Sequence, residues 1–557
     1  MSIKGVQYEG GYRHFYNTFK STTHNSRRWL YANEMLLFAL LGLILFDGGE
    51  LAMEHFDVII VGAGISGVSA AVHLSQACPE KSYCILERRE SVGGTWDLFK
   101  YPGIRSDSDM HTLGFNFKPW KESKSIADGP AILKYVKETT HEYGLNEHIK
   151  FSHKLTNAQW SSHEAKWTLD VDNANSQTQI SCNFLFMCSG YYSHDEVHDP
   201  QIKGVESFAG EVVRPQFWPE GLEHKGKRVV VVGSGATAMT LVPNMAADGA
   251  QVTMLQRSPT YVVARPDQDA IANFLRKILP EKWAYNITRF KNIEMQRYFY
   301  YQTRTAPAKV KKQLLDMVKA MLPEGYDMQK HFTPSYNPWD QRLCLVPNSD
   351  LFESIKSGNA EVVTAEIDQI TNKGIRLTNG DELAADIIVL ATGLKLEVLA
   401  GVPFTVDGEA VDFSKQFTYK GMMYSGVPNL ANTFGYVNAS WTLRADLTSE
   451  WVCRLIEHMD NSGATQVTPQ LREQDQDMQT LPWIADFPAG YMQRVMHLFP
   501  QQGEGPWKNT QNFALDKKMI RKAPVADSAL VFSANGKSNA FDPRQSEIDG
   551  QPQQSAG

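Results

Sequence analysis

The chain has 557 residues, is 42% hydrophobic, and carries 55 Lys and Arg against 62 Asp and Glu, a net charge of −7. That length is a prior of about three to four domains with ordinary globular cores. The negative balance speaks against a nucleic-acid surface, whose affinity comes from Lys and Arg on phosphates. None of the six cysteines, Cys78, Cys84, Cys182, Cys188, Cys344 and Cys453, forms a CxxC pair. That spacing disfavours a metal site or a redox disulfide and reads as reduced, buried thiols.

In chain order, an apolar run from Met35 to Phe46 follows Arg27-Arg28. Its 12 residues fall short of the about 20 that span a bilayer. Residues 1–53 read as an extension, with Met53 as the expected native start. Codons for Gly48-Gly49-Glu50 can spell a ribosome-binding sequence just upstream of Met53. The mass of the natively expressed protein decides this against the alternative, a membrane anchor.

Phe56–Val61 then reads as a buried strand running into Gly62-Ala63-Gly64-Ile65-Ser66-Gly67. Gly62 permits the tight turn, Gly64 lets backbone approach a pyrophosphate, and Gly67 lets helix and strand pack closely. The pyrophosphate is expected on the helix beginning near Ser66. Glu87, 20 residues after Gly67, stands where an acidic side chain accepts ribose hydroxyls. Further strands are expected at Ser82–Leu86, Ile149–Leu155, around Trp160 and Trp167, and at Phe184–Cys188.

A second unit begins at Arg228–Val232, followed by Gly233-Ser234-Gly235-Ala236-Thr237-Ala238-Met239. After its next strand the expected acid is missing, and Gln256-Arg257-Ser258 stands there. A guanidinium binds a 2′-phosphate bidentately, whereas an acid repels it. Arg257, with Ser258, therefore selects NADPH over NADH. Two such units imply FAD in the first and a nicotinamide in the second. Asp267–Gly325 reads helical, with Val310, Leu314, Leu315, Val318 and Leu322 on one face and Lys and Arg between them. That is an insertion with a solvated basic face; a membrane-surface helix is the other reading. Ala385–Gly393 reads as a buried strand returning the chain to the first domain. The polar tail is expected to be disordered.

Gly93-Gly94-Thr95-Trp96-Asp97-Leu98-Phe99-Lys100-Tyr101-Pro102-Gly103-Ile104-Arg105-Ser106-Asp107 resembles the long fingerprint of type I Baeyer–Villiger flavin monooxygenases. Together with SDSDMHTLGF and NPWDQRLCLVPN, it is similar to their bacterial ethionamide-activating branch. The resemblance runs from about Glu54 to beyond Asp446. Phe208-x-Gly210 to Trp218-Pro219 resembles the family's short fingerprint, with Arg214 where the family has His. This departure puts domain coordination in doubt more than the reaction class.

The resemblance implies an α/β fold of two Rossmann-like domains, with the NADPH domain inserted in the FAD domain and a helical insertion in the former. The expected segments are the extension 1–53, FAD domain 54–215, NADPH domain 216–383 with its helices at about 267–325, FAD domain and substrate side 384–533, and tail 534–557. It also implies oxygen insertion from O₂ into small apolar ketones through a C4a-peroxyflavin, giving esters or lactones, with sulfide and thioamide S-oxygenation beside it. Arg342 would stabilise the oxygenating species and Asp107 would orient it. Without the resemblance, Arg342 reads as a surface salt-bridging residue.

Arg105 and Ser106 would touch NADPH, and Leu155 would contact adenine or simply fill the core. Gly94, Thr95, Trp96, Asp97 and Leu98 would approach the flavin. Asn438–Leu443 would line the active site. No metal cluster is expected. The expected location is cytoplasmic, with loose peripheral membrane contact as an addition. Two alternatives stay open: an N- or S-oxygenating flavin monooxygenase, and a flavoprotein of little turnover that serves as a binding or membrane partner.

Overall fold

Glu54–Val61 ends in four consecutive buried residues, as a strand covered on both faces requires. In the computed structural model, which describes residues 53–173, 176–485 and 489–534, this strand pairs in parallel with Tyr83–Leu86. Tyr83–Leu86 in turn pairs in parallel with Ile149–Lys150. On its other side lies Ser176–Met187, whose last residues pair in parallel with Leu430–Asn432. An antiparallel meander of His153–Ser161, Lys166–Asn173 and Ser176–Met187 extends the sheet. The expected single strand Ile149–Leu155 is broken. Ser152 takes a left-handed φ of 56°, which swings the chain out of the parallel ladder into the meander. The apolar run 35–46, with the rest of residues 1–52, and the tail beyond residue 534 fall outside the described residues.

The second sheet is five-stranded, in the order Ala360–Thr364, Gln251–Gln256, Arg228–Val232, Ile387–Leu390, Glu211–Val213, and all its pairs are parallel. This corrects one expectation. Ile387–Leu390 does not return the chain to the first sheet; it lies inside the second, between Arg228–Val232 and Glu211–Val213. All four of its residues are buried, and an interior position covers them on both faces. Glu211–Val213 likewise belongs to this sheet and not to the first. The chain crosses back one step later, where Leu394–Leu396 pairs with Tyr192–Val197. Phe404–Val406 then joins the meander edge.

The expected helical insertion is present as Ala270–Ile278, Glu281–Thr305 and Pro307–Met321. Val310, Leu314 and Val318 form its buried face. The described residues from 55 onward cluster as one compact unit. Bonds between distant segments explain why the two sheets do not separate. Arg105 reaches Asp350 at 2.5 Å, and Arg289 reaches Asp446 at 3.3 Å and the Gly114 carbonyl at 2.7 Å. Among the described residues, no helix is long and apolar enough to cross a membrane.

Candidate active site

Each glycine turn feeds a helix whose first turn has no side-chain cap: Ile65–Ala77 after Gly64, and Ala236–Ala247 after Gly235. The first N–H groups of a helix lack internal acceptors, so both ends present unfilled donors and a positive dipole. Ile65 and Ser66 of one helix, and Ala236 and Thr237 of the other, line the same cavity of about 340 Å³. Within the first turn, backbones approach closely. A Cβ on Gly67 would stand 1.8 Å from the Gly62 carbonyl oxygen, so only glycine packs helix against strand there. A Cβ on Gly94 would stand 3.1 Å from Gly64 Cα; these two loops close together at the cavity wall.

Glu87 lies at one end of the cavity, 3% exposed. It accepts N–H bonds from Ala63 at 2.7 Å and Arg89 at 2.8 Å. Burial raises its pKa, against the backbone donors. A carboxylate has about four acceptor sites, so lone pairs are left for ribose hydroxyls. Leu155, Lys154 and His194 lie on the same lining. His194 Nδ1 is buried with no partner among the described residues. Burial, reinforced by Arg88 and Arg89, lowers that imidazole's pKa to about 4. An uncapped helix end, a buried acceptor with spare lone pairs and an orphaned imidazole fit an FAD.

At the other end Arg342 lines the cavity, with Nε 3.6 Å from Asp107 Oδ2. Desolvation opposes its charge, but the Asp107 carboxylate outweighs it, raising the guanidinium pKa above its usual value, and the phenols of Tyr491, Tyr191 and Tyr192 lie around it. The Tyr191 and Tyr192 hydroxyls are 2.9 Å apart. Burial pushes the Tyr192 phenol up to about 12, so it stays neutral at working pH. Trp441 stacks on Tyr191, with ring centroids 5.3 Å apart, and donates to Ser66 Oγ at 2.7 Å. The wall behind the cation is thus tied to the nucleotide helix.

Of the residues singled out from sequence, Gly62, Gly64, Ser66, Glu87, Gly94, Thr95, Trp96, Arg105, Ser106, Asp107, Leu155, Ala236, Thr237 and Arg342 line this cavity, as do Ala439 and Trp441 of the expected Asn438–Leu443 segment. The others sit elsewhere. Gly67 packs helix on strand, and Asp97 pairs with Arg89 at 2.6 Å. Leu98, Ala238 and Met239 fill the second domain's core. Gly233 and Gly235 form the second turn, and no atom comes within 4 Å of a Cβ built on Gly235. Ser234 donates to the Ser258 carbonyl at 3.3 Å. Arg257 is exposed beyond the strand Gln251–Gln256. Arg105 is committed to Asp350, and the Ser106 hydroxyl donates to the Ser108 carbonyl at 2.8 Å.

Sequence reasoning missed Tyr191, Tyr192, His194 and Tyr491. Gly190 after the strand Ser176–Met187 was a usable signal for the first pair. Tyr491 carries no local signal. All six cysteines are buried, and none of them forms a disulfide.

The pyridine nucleotide-disulphide oxidoreductase family profile matches residues 56–295. The FAD-containing monooxygenase EthA of Mycobacterium tuberculosis is 52% identical over 482 residues, covering 86% of this chain and 98% of that protein. The probable FAD-binding monooxygenase AlmA of Acinetobacter baylyi is 46% identical over 483 residues, 86% and 96% of the two chains. A solved structure described as an oxidized steroid monooxygenase bound to NADP superposes with a TM-score of 0.70 at 22% identity, over 86% of this chain and all of that one. With half of its residues shared across nearly the whole length of such a relative, this chain belongs to the FAD-containing monooxygenases.

Proposed function

We propose that this monooxygenase uses NADPH and O₂ to insert one oxygen atom into a ketone, giving an ester or lactone and water, and that it also S-oxygenates sulfides and thioamides. The observation that carries this reading is the Arg342–Asp107 pair, with Tyr191 and Tyr192 beside it, on the wall of a cavity shared by two uncapped helix ends. Bound FAD, reduced by NADPH, supplies the activation of dioxygen.

The chain's residues do the rest. Arg342 holds negative charge as it develops on the ketone oxygen. Guanidinium is the group for this, because it does not lose its proton. Donors fixed in advance at such a position cost no reorganisation during reaction. Asp107 holds the guanidinium in register. The neutral phenols and Trp441 exclude water from its far side. Glu87 holds the adenosine ribose, and the helix beginning at Ile65 holds the pyrophosphate. The first sheet and its helices serve the FAD, and the second sheet, with Glu211–Val213 and Ile387–Leu390 in it, serves NADPH. The proposed location is the cytoplasm. Product analysis by mass spectrometry with a linear ketone, a cyclic ketone, a sulfide and an amine tests the reading. Sulfide or amine oxide without any ester supports the N- or S-oxygenating alternative instead.

Arg257 is exposed, with no ion pair among the described residues, and so is available to a 2′-phosphate. Arg257→Gln is expected to raise the KM for NADPH by about 10- to 100-fold, the worth of a charge-assisted pair, and to leave that for NADH unchanged. Steady-state kinetics with both coenzymes checks this.

Arg214, in the short fingerprint's His position, lies 3.7 Å from Asp199 and donates to the His198 carbonyl at 3.5 Å. It thereby ties the edge of the second sheet to the crossing segment. We expect Arg214→His to lower the share of NADPH oxidation that ends as hydrogen peroxide. Equal peroxide yield per NADPH in the two proteins refutes this.

A further inference from the structure

Nine of the fourteen large apolar side chains that stand exposed among the described residues fall within residues 271–301, on two consecutive helices. On Ala270–Ile278 they are spaced as one face, including Phe274 and Ile278, each 59% exposed. On Glu281–Thr305 they continue through Trp283 at 69%, Ile287, Phe290 at 68% and Tyr298 at 65%. Three- and four-residue steps put them on one stripe. An ordinary solvated helix is polar on this side, and contiguous apolar surface of this kind marks an interaction site.

Charge identifies what covers it. The segment 270–321 holds eleven Lys and Arg against three Asp and Glu, in a chain whose net charge is −7. All three of those acids are paired, Glu281 with Lys121, Glu294 with Arg297 and Asp316 with Lys312. Lys277 and Lys282, next in sequence to Ile278 and Trp283, are exposed and have no ion pair among the described residues. A second copy of this chain would bring the same cations against them, so the face is not built to pair with itself. Aromatic and aliphatic side chains bordered by lysines match a helix lying in the headgroup region of an anionic membrane.

We propose that the exposed face of these two helices docks the enzyme on a lipid bilayer bearing anionic headgroups. The opposite face of Glu281–Thr305 holds the segment that follows Asp107: Arg289 donates to the carbonyls of His111 and Gly114, and Asn292 to Asp109. Docking would therefore place the cavity's Asp107 side on a helix seated at the membrane, where apolar substrates concentrate.

The test is co-sedimentation of the full-length holoenzyme with vesicles of phosphatidylcholine alone or with one third phosphatidylglycerol. The expected result is binding to the anionic vesicles, weakened by high salt. Phe274→Ser/Trp283→Ser/Phe290→Ser should lose about tenfold or more in partition, because it removes the inserted apolar surface. Lys277→Gln and Lys282→Gln should lose about fivefold each. Bound flavin and turnover of a water-soluble substrate should be unchanged in all of them, which separates loss of docking from misfolding and from failure of the proposed reaction. Three results overturn the proposal: no wild-type binding, binding undiminished in the triple variant, or a wild-type dimer in solution that the triple variant abolishes.

Discussion

Arg342→Ala is expected to cut ester formation by about 100- to 1,000-fold, the loss measured when a single fixed donor to a developing oxyanion is removed. NADPH-dependent flavin reduction should persist, because the uncapped helix ends and Glu87 that hold the cofactors are untouched. The electrons should then emerge as hydrogen peroxide. Arg342→Lys keeps a charge but loses the planar fork that pairs with Asp107, so it should recover only part of the rate. Asp107→Ala should be milder, since it loosens the cation without removing it. Rapid-mixing absorbance of the flavin, peroxide assay and product yield, measured together, check the set. Ester formation retained in Arg342→Ala refutes the role assigned to that residue.

The second large effect is on stability. Arg444 and Asp516 are 3% and 1% exposed and lie 2.5 Å apart. Tyr436 donates to the same carboxylate at 2.7 Å and Thr510 at 2.5 Å, and Arg444 also reaches the Lys420 carbonyl. Desolvation opposes the Arg444 charge, but Asp516 and Tyr436 outweigh it and raise its pKa.

This cluster fastens the helix Phe513–Lys522 to the helix Trp441–Ser462 directly behind Tyr436 and Trp441, which line the cavity. Arg444→Met leaves an unpaired carboxylate in the interior. It should cost about 3–5 kcal/mol and release flavin at a markedly lower temperature. Arg444→Met/Asp516→Leu removes both charges and should regain most of that loss. Flavin fluorescence on heating reads both variants. A double variant no more stable than the single would mean that the ion pair is not what holds these helices.

Features set by a few neighbouring residues were legible in the sequence. The two glycine turns, the acid at Glu87 and the fingerprint from Gly93 to Asp107 are local, because a tight turn and a phosphate cradle need particular residues at fixed offsets. Most of the residues singled out do line one cavity. The ones that do not, such as Leu98 and Met239, lie on the inward side of the same motifs. A motif specifies a backbone path more firmly than it specifies which side chains face the ligand.

By itself, then, the sequence determined the two nucleotide units, the missing acid beside Arg257 and the helical character of 267–325. Tertiary structure alone decided that Ile387–Leu390 sits inside the second sheet, that Tyr191, Tyr192 and Tyr491 converge on Arg342, and that the apolar stripe through Trp283 and Phe290 is left uncovered. The reason is physical. Helix and strand periodicity report that a face is apolar. What covers that face depends on segments hundreds of residues away, and no local pattern encodes them.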